Sequence, residues 1–420
     1  MLEEYFIKPS TIDRLRGSWI AAEIEAYAGW LAGQGFSLKT IWRRVPIAFA
    51  FGEFARERGA QDIGQLPSYV EAFVAERVAL HHRRNRSTRP MAKEVKGPVE
   101  QMLSVALPGF ESTGRRQHPQ PFAGVLPGFF DYLVDERGLR PATIREYRHH
   151  LDRFEAYLAR IGVTSLRELS PVILSGYIVE RAGAGLVKST VRDGAGVLRV
   201  FLVYAHREGV LDADLSGAVG YPQVYRLSSV PRSISWDDVN RVLARVDRRS
   251  VAGRRNYAIL VLLVTYGLRG REVAALTLDD IDWKNDRLRI PERKAGHSTA
   301  FPLSALVGEA ILDYLRHGRP ETPDRHVFFR AVAPRRPIGT AAVSAIARTC
   351  ILEAGVQVPR PGSHTLRHSA VQRLVDANFD LKTIGDFVGH RSPRSTEVYA
   401  KVAVEQLREV ALGDGEEVLS

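Results

Sequence analysis

Cysteine is almost missing from this chain: Cys350 is the single one in 420 residues. One thiol cannot build a disulfide framework or a cysteine-bound zinc site. Its surroundings, AIARTCILEAG, are apolar and helical, which points to core rather than to a nucleophile. Long apolar runs are missing too. The longest, Tyr257–Tyr266 (YAILVLLVTY), is about half of a bilayer span, so it reads as a buried helix and no membrane partner is expected. The start, MLEEYFIKPS, carries acids and lacks the basic-then-apolar layout of a secretory signal. A soluble, reducing, cytoplasmic setting is the expectation. No carboxylate cluster suggests catalytic Mg²⁺. His364 and His368 have zinc-helix spacing without the glutamate of HExxH, so neither a metal nor a cofactor is expected.

What is present is positive charge. Lys and Arg number 59 against 48 Asp and Glu, a net charge of +11. That excess suits an anionic partner, and nucleic acid is the commonest one. Hydrophobic residues at 45% and charged residues at 25% are the ordinary globular mix, and the length suits two or three domains.

Periodicity divides the chain. Residues 1–80 read as a helical module: Trp19 to Leu31, broken by Gly33 and Gly35, then a helix after Ser37 stopped by Gly59, then a third from Pro67. Residues 122–216 repeat this plan. With Thr40-Ile41 set on Thr143-Ile144, Phe51 falls on Phe154, Phe54 on Tyr157, Gly59 on Gly162, Ile63 on Leu166 and Leu66 on Leu169. One residue of slip puts Glu76-Arg77 on Glu180-Arg181. Apolar positions and breakers match together, the mark of two copies of one module. The second copy has a closing helix, Thr190–His206. Residues 81–121 between the copies are basic and rich in Pro and Gly, so they read as linker or a DNA-tracking strap rather than core, with a helix at Val99–Leu107. Residues 217–232 form a second linker. The third part, 233–412, opens with Ser235 and Asp238 as a cap, continues through buried helices, and shows strand alternation at Ile281, Trp283, Leu288 and Ile290 around Asn285-Asp286 and again over Glu292–Leu303. Helices then return, and residues 413–420 are an acidic tail. The chain is therefore mainly α with a small antiparallel β-sheet in its C-terminal domain.

Chemistry-bearing residues gather in this third part. Arg269 follows the end of a buried helix. Lys294 lies in or near a strand turn. His364, Arg367 and His368 share one helix face at i, i+3 and i+4. His390 follows the helix stop Gly389, and Tyr399 sits on the next short helix. Two arginines can grip the non-bridging oxygens of a phosphate and neutralise the charge of a pentacoordinate transition state. A phenol is a weak nucleophile at its ordinary pKa near 10, and becomes a competent one beside cations. Taken singly, each residue has a plainer role: Arg269 can pair with Glu272, His390 can cap a helix, and Tyr399 can pack.

The segments TYGLRGREVAAL, HTLRHSAVQRL and FVGHRSPRSTEVYA resemble the tyrosine recombinase (phage-integrase) family, whose pattern is Arg, Lys, His-x-x-Arg, Gly-His and then Tyr. The resemblance implies that Arg269, Lys294, His364, Arg367 and His390 are catalytic and that Tyr399 is the nucleophile. It implies supporting places for Glu272, His368 and Thr396. Lys294 is matched because Pro302-Leu303 lies eight residues on, as in the family, although RKAGHSTAF departs from a Gly-Lys-Gly turn and Arg293 is its rival. The fold implied is two helical SAM-like N-terminal modules, the first a duplicate DNA-binding domain, followed by a tyrosine-recombinase catalytic domain. The implied activity is site-specific cutting and rejoining of DNA through a 3′-phosphotyrosyl intermediate and a four-way junction, in the service of a mobile element. Implied partners are double-stranded DNA carrying a recombination site, a homo-tetramer on two such sites, and accessory recombinases or DNA-bending proteins, in a nucleoid-associated location. A type IB topoisomerase would share the nucleophile, but the His-x-x-Arg box argues against it. A non-catalytic DNA-binding regulator is the remaining alternative.

Overall fold

The computed structural model describes residues 2–82, 89–110, 120–223, 233–291 and 298–389. Residues 1–114 with 229–420 form one compact unit, and residues 115–228 form another.

The first module consists of α1 (Pro9–Arg16), α2 (Ala21–Gly33), α3 (Leu38–Glu57), α4 (Val70–His82) and α5 (Arg89–Ala106), with a 3₁₀ turn at Ile63–Tyr69 before α4. One correction arises here. The helix expected at residues 99–107 begins at Arg89, and its Val95, Val99, Met102 and Leu103 are buried in the core of the first module. This stretch of the 81–121 segment is therefore not linker. The apolar stripe of α5 outweighs the Gly97-Pro98 pair that disguised it, because burying four large side chains offsets one lost N–H.

The second module has α6 (Phe129–Asp135), α7 (Pro141–Arg160), a 3₁₀ turn (Leu166–Glu168), α8 (Pro171–Gly183) and α9 (Lys188–Arg207). The duplication extends to side-chain geometry. Phe51 meets Phe73 edge-on at 5.4 Å and 64°, and Phe154 meets Tyr177 at 5.0 Å and 62°. Phe54 and Tyr157 complete the two clusters, each 5.2 Å from the same partner ring. Gly59 and Gly162 both turn the chain at positive φ, +96° and +79°. Beyond them Arg58 pairs with Glu76 and Arg160 with Glu180, each arginine lying over its module's second aromatic ring. The same apolar spacing has produced the same packing twice.

The C-terminal part holds α10 (Trp236–Arg245), α11 (Val251–Tyr266), α12 (Gly270–Ala274), α13 (Ala305–His317), α14 (Thr340–Glu353), α15 (Ser363–Asp376) and α16 (Leu381–Val388). Ser235 caps α10 by accepting from the Asp238 N–H at 3.1 Å. Strands β1 (Ile281–Asp282), β2 (Arg287–Ile290) and β3 (Thr299–Pro302) form an antiparallel sheet in the order β1-β2-β3, with Leu288 opposite Phe301. Leu288, Ile290 and Phe301 face the core. Trp283, expected to continue the alternation, lies beyond β1 and is 43% exposed. The apolar run in α11 is buried, and no helix among the described residues is long and apolar enough to cross a membrane. Cys350 is buried on α14, and desolvation pushes its thiol up to about 11.

Each module closes its own core, so damage should stay local. Phe51→Ala is expected to cost about 3–5 kcal/mol within the first module. Hydrogen exchange should then speed up across α2 to α5 and leave α7 to α9 unchanged; equal loss in both would contradict separate cores.

Candidate active site

Two glycines make the site by ending helices. α11 stops at Gly267 in the left-handed conformation, φ +58°. A Cβ there would also lie 3.1 Å from Val388 Cγ1, so the position needs glycine for both conformation and space. α16 stops the same way at Gly389, φ +65°. A helix end leaves carbonyl oxygens without partners and with partial negative charge. Here the two ends are brought together and both meet arginines.

Arg367, on α15 and only 4% exposed, donates through Nη1 to the Gly267 carbonyl and through Nη2 to the Val388 carbonyl at 2.8 Å. Arg269, between α11 and α12, donates through Nη2 to the Gly389 carbonyl at 2.7 Å. Its Nη1 meets Glu272 Oε1 at 2.8 Å, and Glu272 Oε2 accepts the Arg269 backbone N–H at 2.9 Å. Glu272 is buried and holds Arg269 at two points. The two guanidiniums therefore sit on consecutive carbonyls, one residue before His390.

α15 is itself pinned. The Ile234 N–H donates to Ser369 Oγ at 2.8 Å, and Ser369 Oγ donates back to the Ile234 carbonyl at 3.0 Å. Thr365 Oγ1 donates to the Arg360 carbonyl at 3.0 Å, fixing the approach to the helix. His364 and His368 lie on the same helix with ring centroids 6.5 Å apart. Desolvation holds His364 below its ordinary value, and the charges of Arg367 and then Arg269 push the same way. Its ring reaches solvent, which screens the charge contribution. On the sheet side, the Tyr266 hydroxyl donates to the Pro302 carbonyl at 2.8 Å, while Phe301 packs between Tyr266 and Phe387 at 5.0 and 5.2 Å. This ties β3 to the ends of α11 and α16.

Arg269, Glu272, His364, Arg367 and His368 thus occupy the ends of α11, α12 and α15. Lys294, in the β2–β3 connection, and His390, Thr396 and Tyr399 lie outside the described residues. The carbonyls of Gly267, Val388 and Gly389 leave no mark in the sequence beyond the two glycines, which read as helix stops.

Comparison with known proteins gives the context. Residues 232–406 match the model of the phage integrase family, and residues 126–209 that of the phage integrase N-terminal SAM-like domain. The putative integrase/recombinase y4rA of Sinorhizobium fredii is 32% identical over 405 residues, with 94% of each chain covered. The tyrosine recombinase XerD of Mycobacterium tuberculosis is 29% identical over 306 residues, 69% of this chain and 96% of that one. The solved XerH site-specific recombinase bound to palindromic difH substrate, in its post-cleavage complex, superposes with a TM-score of 0.54. That alignment covers 66% of this chain and 80% of the other at 19% identity, a likeness of fold.

Two outcomes follow from the geometry. Glu272→Ala strands Arg269 in a mostly buried place and is expected to cost about 3 kcal/mol, read as a lower melting temperature; an unchanged melt would remove Glu272 from this role. Folding also disfavours protonated His364. Below its ordinary value of 6.5 the unfolded chain binds more protons than the folded one, so this residue's stabilisation falls as pH drops. His364→Gln should reduce the difference between urea midpoints at about pH 7.5 and about pH 5; an unaltered difference would contradict the shift.

Proposed function

Because the chain belongs to the phage integrase family of tyrosine recombinases, enzymes that cut and rejoin DNA, we propose that it is a site-specific recombinase whose nucleophile is Tyr399. The observation that carries this reading is the pair of guanidiniums, Arg269 and Arg367, fixed on the adjacent carbonyls of Gly389 and Val388. They give two cations at one point, beside His390 and ten residues before Tyr399 in the chain.

In this reading Arg269, Arg367 and His390 hold the non-bridging oxygens of one backbone phosphate. The Tyr399 oxygen attacks phosphorus, and the bond to the 5′ oxygen breaks. His364 takes the phenolic proton; its lowered pKa keeps it neutral and able to accept near neutral pH. Lys294 gives a proton to the departing 5′ oxygen. The product is a 3′-phosphotyrosyl bond and a free 5′-hydroxyl, with the phosphodiester's bond energy retained. A 5′-hydroxyl from a second duplex reverses the step and exchanges strands. Glu272 keeps Arg269 in place, and His368 and Thr396 are supporting positions. Residues 122–216 and 233–412 act as DNA-binding and catalytic domains around the duplex. Four copies on two sites pass through a four-way junction, in the service of a mobile element.

The test is covalent trapping. Wild-type chain incubated with DNA and quenched in denaturant should carry 3′-linked ends from one short site. Tyr399→Phe should give none while still binding DNA. Adducts persisting in Tyr399→Phe would overturn the nucleophile, and adducts scattered without a common site would favour topoisomerase-like action. Arg367→Ala should slow adduct formation by about 10²–10³-fold, since it removes a charge-assisted contact to the transition state; cleavage near the wild-type rate would contradict its role.

A further inference from the structure

The family models match from residue 126 onward, so the first module has no assigned task. Its resemblance to the second module goes beyond the core. Aligned on their buried stripes, α5 and α9 put Val99 on Leu198, Met102 on Phe201, Leu103 on Leu202 and Gly97 on Gly196. The same alignment puts Arg89 on Lys188, Lys93 on Arg192 and Glu94 on Asp193. Both helices thus open with cation, three residues, cation, acid. Lys93 and Arg192 are both exposed. The helices packed beside them also expose cations but not at matching positions: α3 exposes Lys39 and Arg43, whose counterparts in α7 are Ala142 and Glu146, and α7 exposes Arg145. In the second module Thr143, Glu146 and Tyr147 of α7 line one cavity with Thr190, Arg192 and Asp193 of α9, so the openings of these two helices lie together.

By position these cations oppose their own helix dipoles, although Arg192 also pairs with its chain neighbour Asp193 at 3.7 Å. The first turns of α3, α5, α7 and α9 contain no acidic residue, and a cation near a helix N-terminus opposes the helix dipole. Nor has the whole surface stayed alike. Val172 and Val179 of α8, 80% and 70% exposed, correspond to Ser68 and Ala75 in the first copy. Core and cationic end are shared, while this other face is not.

We propose that the first module is a second duplex-binding module, holding the phosphate backbone beside the recombination site through Lys39, Arg43 and Lys93. This rests on the reading of the chain as a recombinase whose second module binds DNA. Each cation that neutralises a phosphate releases counterions, so the module should add roughly 0.9 per contact to the slope of log K against log salt.

The test uses the full-length chain and DNA selected by the wild-type protein from a random-sequence pool. The selected site is placed in duplexes of about 30 and about 60 bp, the longer supplying flanks for the extra contacts. Lys39→Ala/Arg43→Ala/Lys93→Ala should lower the salt slope on the longer duplex by roughly 2–3, with the slope on the shorter one unchanged. Its hydroxyl-radical footprint should lose protection in the flank alone. Arg56→Ala/Arg77→Ala, which removes exposed cations elsewhere on the module, should leave slope and footprint as in wild type, and circular dichroism melts should match for all three proteins. A triple variant with wild-type slope and footprint would overturn the inference while the recombinase reading stands. Equal losses in both variants would overturn the assigned face. Failure of the wild-type chain to bind any duplex would sink the recombinase reading and this inference with it.

Discussion

The C-terminal part depends on one buried cation. Arg367 joins the end of α11 to the end of α16 by donating to the Gly267 and Val388 carbonyls. A guanidinium with 4% exposure would be costly if its donors were left without partners. Helix ends answer that need, since their last carbonyls also lack partners and carry partial negative charge. The same bonds that make burial tolerable fix where the guanidinium points. Arg269 takes the next carbonyl and Glu272 holds it from behind, so both cations are placed before any phosphate arrives. Such preorganisation is what electrostatic catalysis requires.

Much of this was legible in the sequence. Gly267 and Gly389 stood out as stops after apolar runs, and Arg269 and Arg367 stood out by order and spacing. Periodicity gave the two modules, because buried positions recur with the helix repeat whatever the surface does. What escaped was of two kinds. The start of α5 was hidden by local composition: MAKEVKGP is basic and contains Gly97-Pro98, and only the fold reveals that Val95 and Val99 share a buried stripe with Met102. The partners of the arginines were hidden because they are backbone atoms. A carbonyl has no letter in a sequence, and the bond from Arg367 to Gly267 spans a hundred residues.

The duplicated modules show how physical constraint and use divide a surface. The aromatic clusters around Phe73 and Tyr177 repeat because one packing solution serves both copies. The cations at the helix openings oppose their own helix dipoles, and the role proposed for them is to meet a partner outside the modules. The C-terminal part concentrates charge at a point, while the modules spread it over a face. The first arrangement suits chemistry on one phosphate and the second suits grip on many.

The central claim is that Arg269 and Arg367 act by neutralising charge on the phosphate under attack. It can be measured by single-turnover cleavage of duplexes carrying either an ordinary phosphate or a neutral methylphosphonate at the scissile position. The account predicts that Arg269→Ala and Arg367→Ala, slow on the phosphate, recover most of their lost rate relative to wild type on the methylphosphonate, where a neutral methyl replaces one charged oxygen and the pentacoordinate state carries one negative charge fewer. An equal penalty on both substrates would contradict it.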